Sequence, residues 1–188
     1  QSDLLRVGAA SVDMTPTVFP IQLRSGKSNY VHDPLHVRAV AFQRGEGRAV
    51  ICLIDAIGIG RDMSDLAKAR AAEKTGWKPE EMLICATHTH TAPKGGEGTP
   101  GKEAYEKLKH DKLEEAIVKA IQSLQPARVG FGSDEEPSEV RNRRWFLEPG
   151  TMTPNPLGEL DQVKTNAGRN DLIKPAGPTD PEICVIDV

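Results

Sequence analysis

A chain of 188 residues fits a single domain of the usual ~150-residue size and can bury roughly two thirds of the surface its unfolded form exposes. Hydrophobic residues make up 38% and charged residues 27%, and no apolar run approaches the ~18 residues of a membrane-spanning helix. Lys plus Arg is 24 against 27 for Asp plus Glu, a formal charge of −3. That balance lacks the basic excess of a nucleic-acid binder, so nucleic acid is not expected as a partner.

Leu4 to Ala10 alternates in part and reads as a strand, closed by Asp13-Met14-Thr15-Pro16, where Pro16 biases Thr15 away from helix. Residues 17–35 show no sustained period and contain Pro20, Gly26 and Pro34, so they read as a long loop. His36 to Phe42 and Ala49 to Asp55 are two β-prone runs around Arg44-Gly45-Glu46-Gly47, which predicts a β-hairpin. A helix is expected from about Met63 to Lys74, capped by Asp62 or Ser64 and ended by Gly76. Lys78-Pro79-Glu80-Glu81 reads as a single turn before a buried strand, Met82 to Thr87.

After that strand come His88-Thr89-His90-Thr91-Ala92-Pro93 and a glycine-rich loop, Gly95 to Gly101. The clearest helical pattern runs from about Lys102 to Leu124, with Leu108, Leu113, Ile117, Val118 and Ile121 on one stripe. Pro126 stops it, and Ala127 to Gly132 reads as a strand. From Asn142 to Pro181 the chain is mostly Pro, Gly and polar residues around the apolar island Trp145-Phe146-Leu147. Glu182 to Val188 is a final strand. Strands alternate with helices, yet one strand pair is a hairpin. The expected class is α/β, a mixed sheet with helices packed on it.

Cys52, Cys85 and Cys184 lie in apolar segments without the close pairing of a zinc ribbon or redox motif, and read as buried free thiols. The chain opens on Gln1 with no signal-peptide pattern; an export signal already removed, or a cut chain, explains this, and export is the expectation adopted.

His88 and His90 stand out chemically. Residues i and i+2 of an extended backbone face the same side, so two imidazoles at the carboxyl end of a buried strand can converge. Open α/β sheets place ligands at that end. Neutral imidazoles there could be two metal ligands, or one ligand and one acid/base, or merely polar loop residues. His32 and His36 read as surface or edge-strand residues, and His110 as a solvated-face residue of the long helix. Asp55 ends a strand like the one before His88 and either faces the same cleft or is a helix-capping or turn carboxylate. Arg141, Arg143 and Arg144 around Asn142 are a solvated patch or a clamp for a carboxylate or oxyanion. No G-K-[ST] follows the glycines, and no GxSxG is present, so neither a P-loop nor a nucleophile elbow is supported.

The opening RVGAASVDMTP, the hairpin DPLHVRAVAF, the strand ending LID and the run ICATHTHTAPKGG together resemble the N-terminal part of neutral/alkaline, non-lysosomal ceramidases. Val140-Arg141-Asn142-Arg143-Arg144 resembles that family's Asn-Arg motif, and DPEICVIDV the strand after it. The resemblance covers most of residues 1–188 as the N-terminal part of a catalytic domain, apart from a polar, insertion-like loop at about 148–178. Lys94 after Pro93 departs from the small residues and glycine with which the family usually continues its HTH motif, and Arg144-Trp145 departs from the usual Asn-Arg-Ser.

The resemblance implies a zinc-dependent amidase that hydrolyses the N-acyl bond of ceramide. It implies His88 as a zinc ligand, His90 against the reacting carbonyl, and Arg143, or Arg144 in a shifted register, in the active site. Its implied partners are a lipid-like N-acyl amide substrate, a membrane surface contacted peripherally, and the remainder of the catalytic domain, which carries the other zinc ligands. The 188 residues alone are then expected to be inactive. Two alternatives stay open: another metal-dependent hydrolase of the amidohydrolase type, and a non-catalytic binding domain that keeps the fold.

Overall fold

The computed structural model of the chain describes residues 4–23, 26–93, 101–152, 154–165, 168 and 170–188. Contacts divide it into two units, Gln1–Arg128 and Val129–Val188, each described by itself.

In the first unit the strands are β1 (Arg6–Asp13), β2 (Ile21–Leu23), β3 (Gly26–Ser28), β4 (His36–Arg44), β5 (Gly47–Ile54), β6 (Met82–Ala86) and β7 (Gln125–Pro126). The helices are α1 (Arg61–Thr75) and α2 (Lys102–Gln122). Five strands form one sheet in the order β6-β5-β4-β1-β7. Only the β5–β6 pair is parallel; β5–β4, β4–β1 and β1–β7 are antiparallel. The class is mixed α/β, as the alternation of elements in the sequence indicates. The expected hairpin is β4–β5, with Arg44 opposite Gly47 and a turn through Gly45 at φ 55°. Glycine is favoured there because a side chain crowds that left-handed backbone.

The core occupies one face of the sheet. Alternation places Val12, Val37, Ala39, Ala41, Val50, Cys52, Ile54, Met82 and Ile84 there, all buried. α2 lies across β1, β4 and β5 and turns Leu113, Ala116, Ile117 and Ala120 inward, a spacing that keeps one helical face apolar. α1 packs on α2 through buried Ala67 and Ala71. An ion-pair seam reinforces that contact, with Arg70 reaching Asp111 at 3.5 Å and Glu114 at 3.9 Å, and Lys74 paired with Glu114. On the opposite face Ile51 is 48% and Leu83 57% exposed. No helix among the described residues is long and apolar enough to cross a membrane.

Several boundaries differ from the sequence expectation for local reasons. α1 begins earlier than expected, on Gly60 in extended conformation with no side-chain cap, and Asp62 sits in its first turn. Its end is as read: Gly76 adopts φ 71° and donates its N–H to the Ala72 carbonyl at 2.8 Å. The long loop 17–35 contains the β2–β3 hairpin. His110 is half-buried with a buried, unpartnered Nδ1, not a solvated-face residue. The glycine-rich stretch, apart from Gly101, and Lys94 lie outside the described residues.

The second unit holds β8 (Gly130–Glu135), β9 (Arg144–Leu147), β10 (Val163–Thr165), β11 (Leu172–Pro175) and β12 (Glu182–Asp187). β9 is the middle strand of a three-stranded antiparallel sheet between β10 and β11. Two strands therefore fall inside the segment expected to be a polar loop at about 148–178. Backbone pairing to the apolar island of β9 orders them, and composition carries no trace of it. β8 and β12 form an antiparallel ribbon in which every residue is exposed, including Phe131 at 81% and Cys184. The expectation of three buried thiols thus holds only for Cys52; Cys85 is half-buried. The strand read at 127–132 starts instead at Gly130, because Ala127 still bonds to Leu5 at the edge of the first sheet.

The helix–sheet contact rests on Gly8 of β1. A Cβ there would stand 2.1 Å from the Ala120 carbonyl oxygen and 2.8 Å from the Leu124 nitrogen, both backbone atoms of the end of α2 and the residues after it. Gly8→Ala must push α2 off the sheet, an overpacking that costs about 1–3 kcal/mol. The urea midpoint is expected to fall with an unchanged m-value; a midpoint equal to the parent's would contradict this close approach.

Candidate metal centre and active site

Because β5 and β6 are parallel, both chains leave the sheet at the same end. β5 runs out into Asp55-Ala56-Ile57, and β6 into Thr87-His88-Thr89-His90. The two exits are stitched together. The Ile54 carbonyl accepts the N–H groups of both Ala56 (2.9 Å) and Thr87 (3.0 Å), and the Ile57 carbonyl lies 2.6 Å from His88 Nδ1.

That last contact fixes the chemistry of His88. A carbonyl oxygen can only accept, so Nδ1 carries the proton and Nε2 presents a lone pair. This is the usual way in which a metal-ligating histidine is oriented by an outer partner. His90 Nε2 stands 3.3 Å from His88 Nε2, with the two rings edge-on at 5.0 Å between centroids. With His88 Nε2 as acceptor, His90 Nε2–H is the donor between them.

The structure therefore brings His88 and His90 to one point, though not by the strand alternation expected from the sequence. β6 ends at Ala86, and His88 sits at φ 62°, the one non-glycine residue with positive φ among those described. The left-handed residue and the turn after it converge the rings. Non-glycine residues in that region are uncommon and cluster at functional sites.

In the arrangement described, His88 Nε2 has a lone pair that fits a zinc ion, and His90 Nε2 would join it only after giving up its proton. Two nitrogens bound at ~2.05 Å in a tetrahedral site lie about 3.3–3.4 Å apart, which matches the Nε2–Nε2 separation. The pair supplies two nitrogens only. No group of three or more His, Cys, Asp or Glu side chains able to hold a metal occurs among the described residues. Cys52 is not a ligand candidate: burial, and then the neighbouring Cys85, push its thiol up to about 12, so it stays protonated.

His36, Arg38 and Asp55 form a second cluster at the same end of the sheet. The Asp55 carboxylate accepts the His36 backbone N–H (2.9 Å) and Arg38 Nη1 (3.0 Å), and Arg38 Nη2 lies 3.1 Å from His36 Nδ1. Asp55 thus serves the turn after β5, one of the two roles open to it in the sequence. His32 is a surface residue 3.8 Å from Asp33.

A cavity of about 360 Å³ adjoins the histidine loop. Phe19, Ile21, Leu23, Val31 and Leu35 give it apolar walls, and Thr91 and Pro93 line it just past His90. Its rim is braced by Thr15, whose hydroxyl accepts the Leu35 N–H at 2.9 Å and whose N–H donates to Asp13 at 2.7 Å.

Arg141, Asn142, Arg143 and Arg144 belong to the second unit. There Asn142 Nδ2 donates to the carbonyls of Gly177 (2.8 Å) and Pro178 (3.1 Å), and its Oδ1 accepts the Arg144 N–H (2.9 Å). Arg141 Nη1 donates to the carbonyls of Ser138 and Val140. With Glu139 and Asp180 the three arginines line a cleft of about 450 Å³. Sequence reasoning singled out this basic cluster and its Asn-Arg motif, but not the bonds by which Asn142 ties it to the 177–178 segment.

The fold is similar to that of solved ceramidase structures. Two solved structures carry it. The neutral ceramidase from Pseudomonas aeruginosa matches with a TM-score of 0.63 and 22% identity over 78% of this chain. A ceramidase complexed with C2 matches with a TM-score of 0.62 and 20% identity over 84% of it. The chain spans 25% and 30% of the length of those two proteins. No family model and no curated protein matches the sequence.

Asp13 gives the cavity rim a pH dependence. Hydrogen bonds from the Thr15 hydroxyl and N–H hold its carboxyl below the usual carboxylate value. A depressed folded-state pKa contributes stability above the unfolded value of about 3.9, and that contribution is lost as pH falls through the lower folded value. Asp13→Asn is expected to make the urea midpoint less steep in pH on the acid side. An acid limb identical to the parent's would remove Asp13 from the account.

Proposed function

We propose that this chain is part of a zinc-dependent amidase acting on the N-acyl bond of ceramide or a related N-acyl amide. The observation that carries the reading is the meeting of His88 Nε2 and His90 Nε2 at 3.3 Å, with His88 Nδ1 already engaged by the Ile57 carbonyl. The neutral ceramidase fold supports the substrate class, and the apolar cavity beside Thr91 and Pro93 suits an acyl chain.

In this reading His88 holds the zinc through Nε2. Zinc bound there would polarise the amide carbonyl and activate water near neutral pH. His90 presents a donor on the same side, placed to hydrogen-bond the oxyanion that develops on the carbonyl or to hand a proton to the leaving amine. Leu35, Phe19 and Ile21 keep water from the chain end of the substrate. Arg143 enters on the resemblance of residues 140–144 alone, as a fork of donors for an oxyanion. His88 alone falls short of the three protein ligands of a catalytic zinc, so this reading assigns the other ligands to the remainder of the catalytic domain. An exported protein working at a membrane surface accords with a lipid amide substrate.

The test is zinc titration of the untagged chain, followed by assay against ceramide and short N-acyl amides. One equivalent of zinc is expected to bind weakly, with affinity falling at least about tenfold in His88→Asn. Asn tolerates the left-handed backbone at that position, so the variant should remain folded. No turnover is expected from these residues alone. Zinc uptake no better than that of the variant would overturn the metal reading and leave a binding domain with this fold. Turnover abolished by His88→Asn would show the site complete without further ligands.

A further inference from the structure

We infer that Asp55 and Arg38 are positioning residues for His88, acting through the carbonyl of Ile57. The inference rests on the zinc reading for its metal-binding arm, but its spectroscopic arm does not.

The shorter of the two bonds that set the tautomer and ring direction of His88 is Nδ1–H to the Ile57 carbonyl at 2.6 Å; the other, from His90 at 3.3 Å, comes from the histidine loop itself. Ile57 lies past the end of β5, so its position depends on how the chain is held as it leaves the sheet. Asp55 holds it twice. Its N–H donates to the His36 carbonyl at 3.0 Å, and its carboxylate accepts the His36 N–H at 2.9 Å. The first bond extends the β4–β5 backbone ladder beyond the Val37–Ile54 pair, and the second takes the place of the next one.

The carboxylate also needs a counterion. Its side chain is only 16% exposed, and Arg38 Nη1 reaches it at 3.0 Å from the next outward position on β4. The fork of Arg38 then spans to His36 Nδ1 at 3.1 Å. A guanidinium can only donate, so His36 Nδ1 is the acceptor. The result is a three-residue clamp, Arg38–Asp55–His36, closed on the residue two positions before Ile57. Ala56, buried between them, folds back on the Ile54 carbonyl, the same oxygen that receives Thr87 N–H from the histidine loop. The clamp and the histidine loop thus share one anchor, and loosening the first shifts the acceptor of the second.

A neutral isostere tests this. Asp55→Asn keeps the shape and an oxygen for the His36 N–H but removes the charge that holds Arg38. Arg38→Met removes the fork and leaves the carboxylate in place, so it serves if the first variant does not fold. The primary readout is the imidazole nitrogen spectrum of His88, recorded without metal by long-range 1H–15N correlation at a pH where the ring is neutral. In the parent chain His88 should show protonated Nδ1 and unprotonated Nε2. Either variant should average the two nitrogens towards exchange between tautomers and lower zinc affinity about tenfold, as lost outer-shell partners do. The His90 spectrum and the thermal midpoint, measured alongside, report general damage.

A parent His88 with protonated Nε2 overturns the inference. So does a folded variant whose His88 nitrogens and zinc affinity equal the parent's, or one in which His88 and His90 change only together with the midpoint. If the tautomer shifts in the variants while the parent binds no zinc, the positioning stands and the zinc reading fails.

Discussion

The parallel pairing of β5 with β6 is the constraint on which the site depends. Every other pair in the five-stranded sheet is antiparallel and sends consecutive strand ends to opposite edges. A parallel pair needs a crossover, and α1 supplies it between β5 and β6. The return delivers Asp55–Ile57 and Thr87–His90 side by side, one strand spacing apart. Only then can a carbonyl of one exit meet the imidazole of the other. A hairpin at this place would have put the two segments at opposite ends of the sheet.

The crossover is possible because the sheet is packed on one side by helices that come very close. Gly8, Ala39 and Ala41 face α2 with almost no side chain, and Ala116 and Ala120 answer them. Small residues on both partners let backbone approach backbone, and Leu113, Ile117, Val37 and Ile54 fill the space that remains. Packing of this kind resists displacement, because interiors are as dense as crystals. The rigid layer fixes the ends of β5 and β6, so the histidine loop is set by the core although it lies outside it.

How much of this was legible in the residues follows from the same distinction. The hairpin, both long helices and the His-rich segment after a buried strand show in periodicity and turn chemistry, which are local. Gly76 announced the end of α1 because a left-handed cap favours glycine. What stayed hidden depends on partners distant in sequence. Nothing around Ile57 marks its carbonyl as the acceptor for an imidazole 31 residues later. His88 looked like the end of an alternating strand, but its left-handed backbone, which sequence preferences disfavour, turns the ring. The strands β10 and β11 escaped because pairing to β9 is made by backbone, and their own composition reads as loop. Cys184 looked buried for the converse reason: an apolar strand shows that burial is wanted, not that a partner is there to give it.

The backbone at His88 closes the argument between fold and function. A left-handed conformation costs a residue with a Cβ about 1–2 kcal/mol, and a single hydrogen bond returns about 0.5–1.5 kcal/mol net. The Ile57 contact and the strain at His88 are therefore of similar size, so that one bond does not by itself hold the left-handed backbone. A loop in that condition responds to whatever else favours it. Asp55 and Arg38 act from the sheet side by keeping the acceptor in place. A ligand on Nε2 would act from the other side, because binding to one conformation stabilises that conformation by mass action. The strained histidine is then the joint between a rigid layer that fixes an acceptor and a lone pair on Nε2 that faces His90, and a ligand taken up there would make each side more effective.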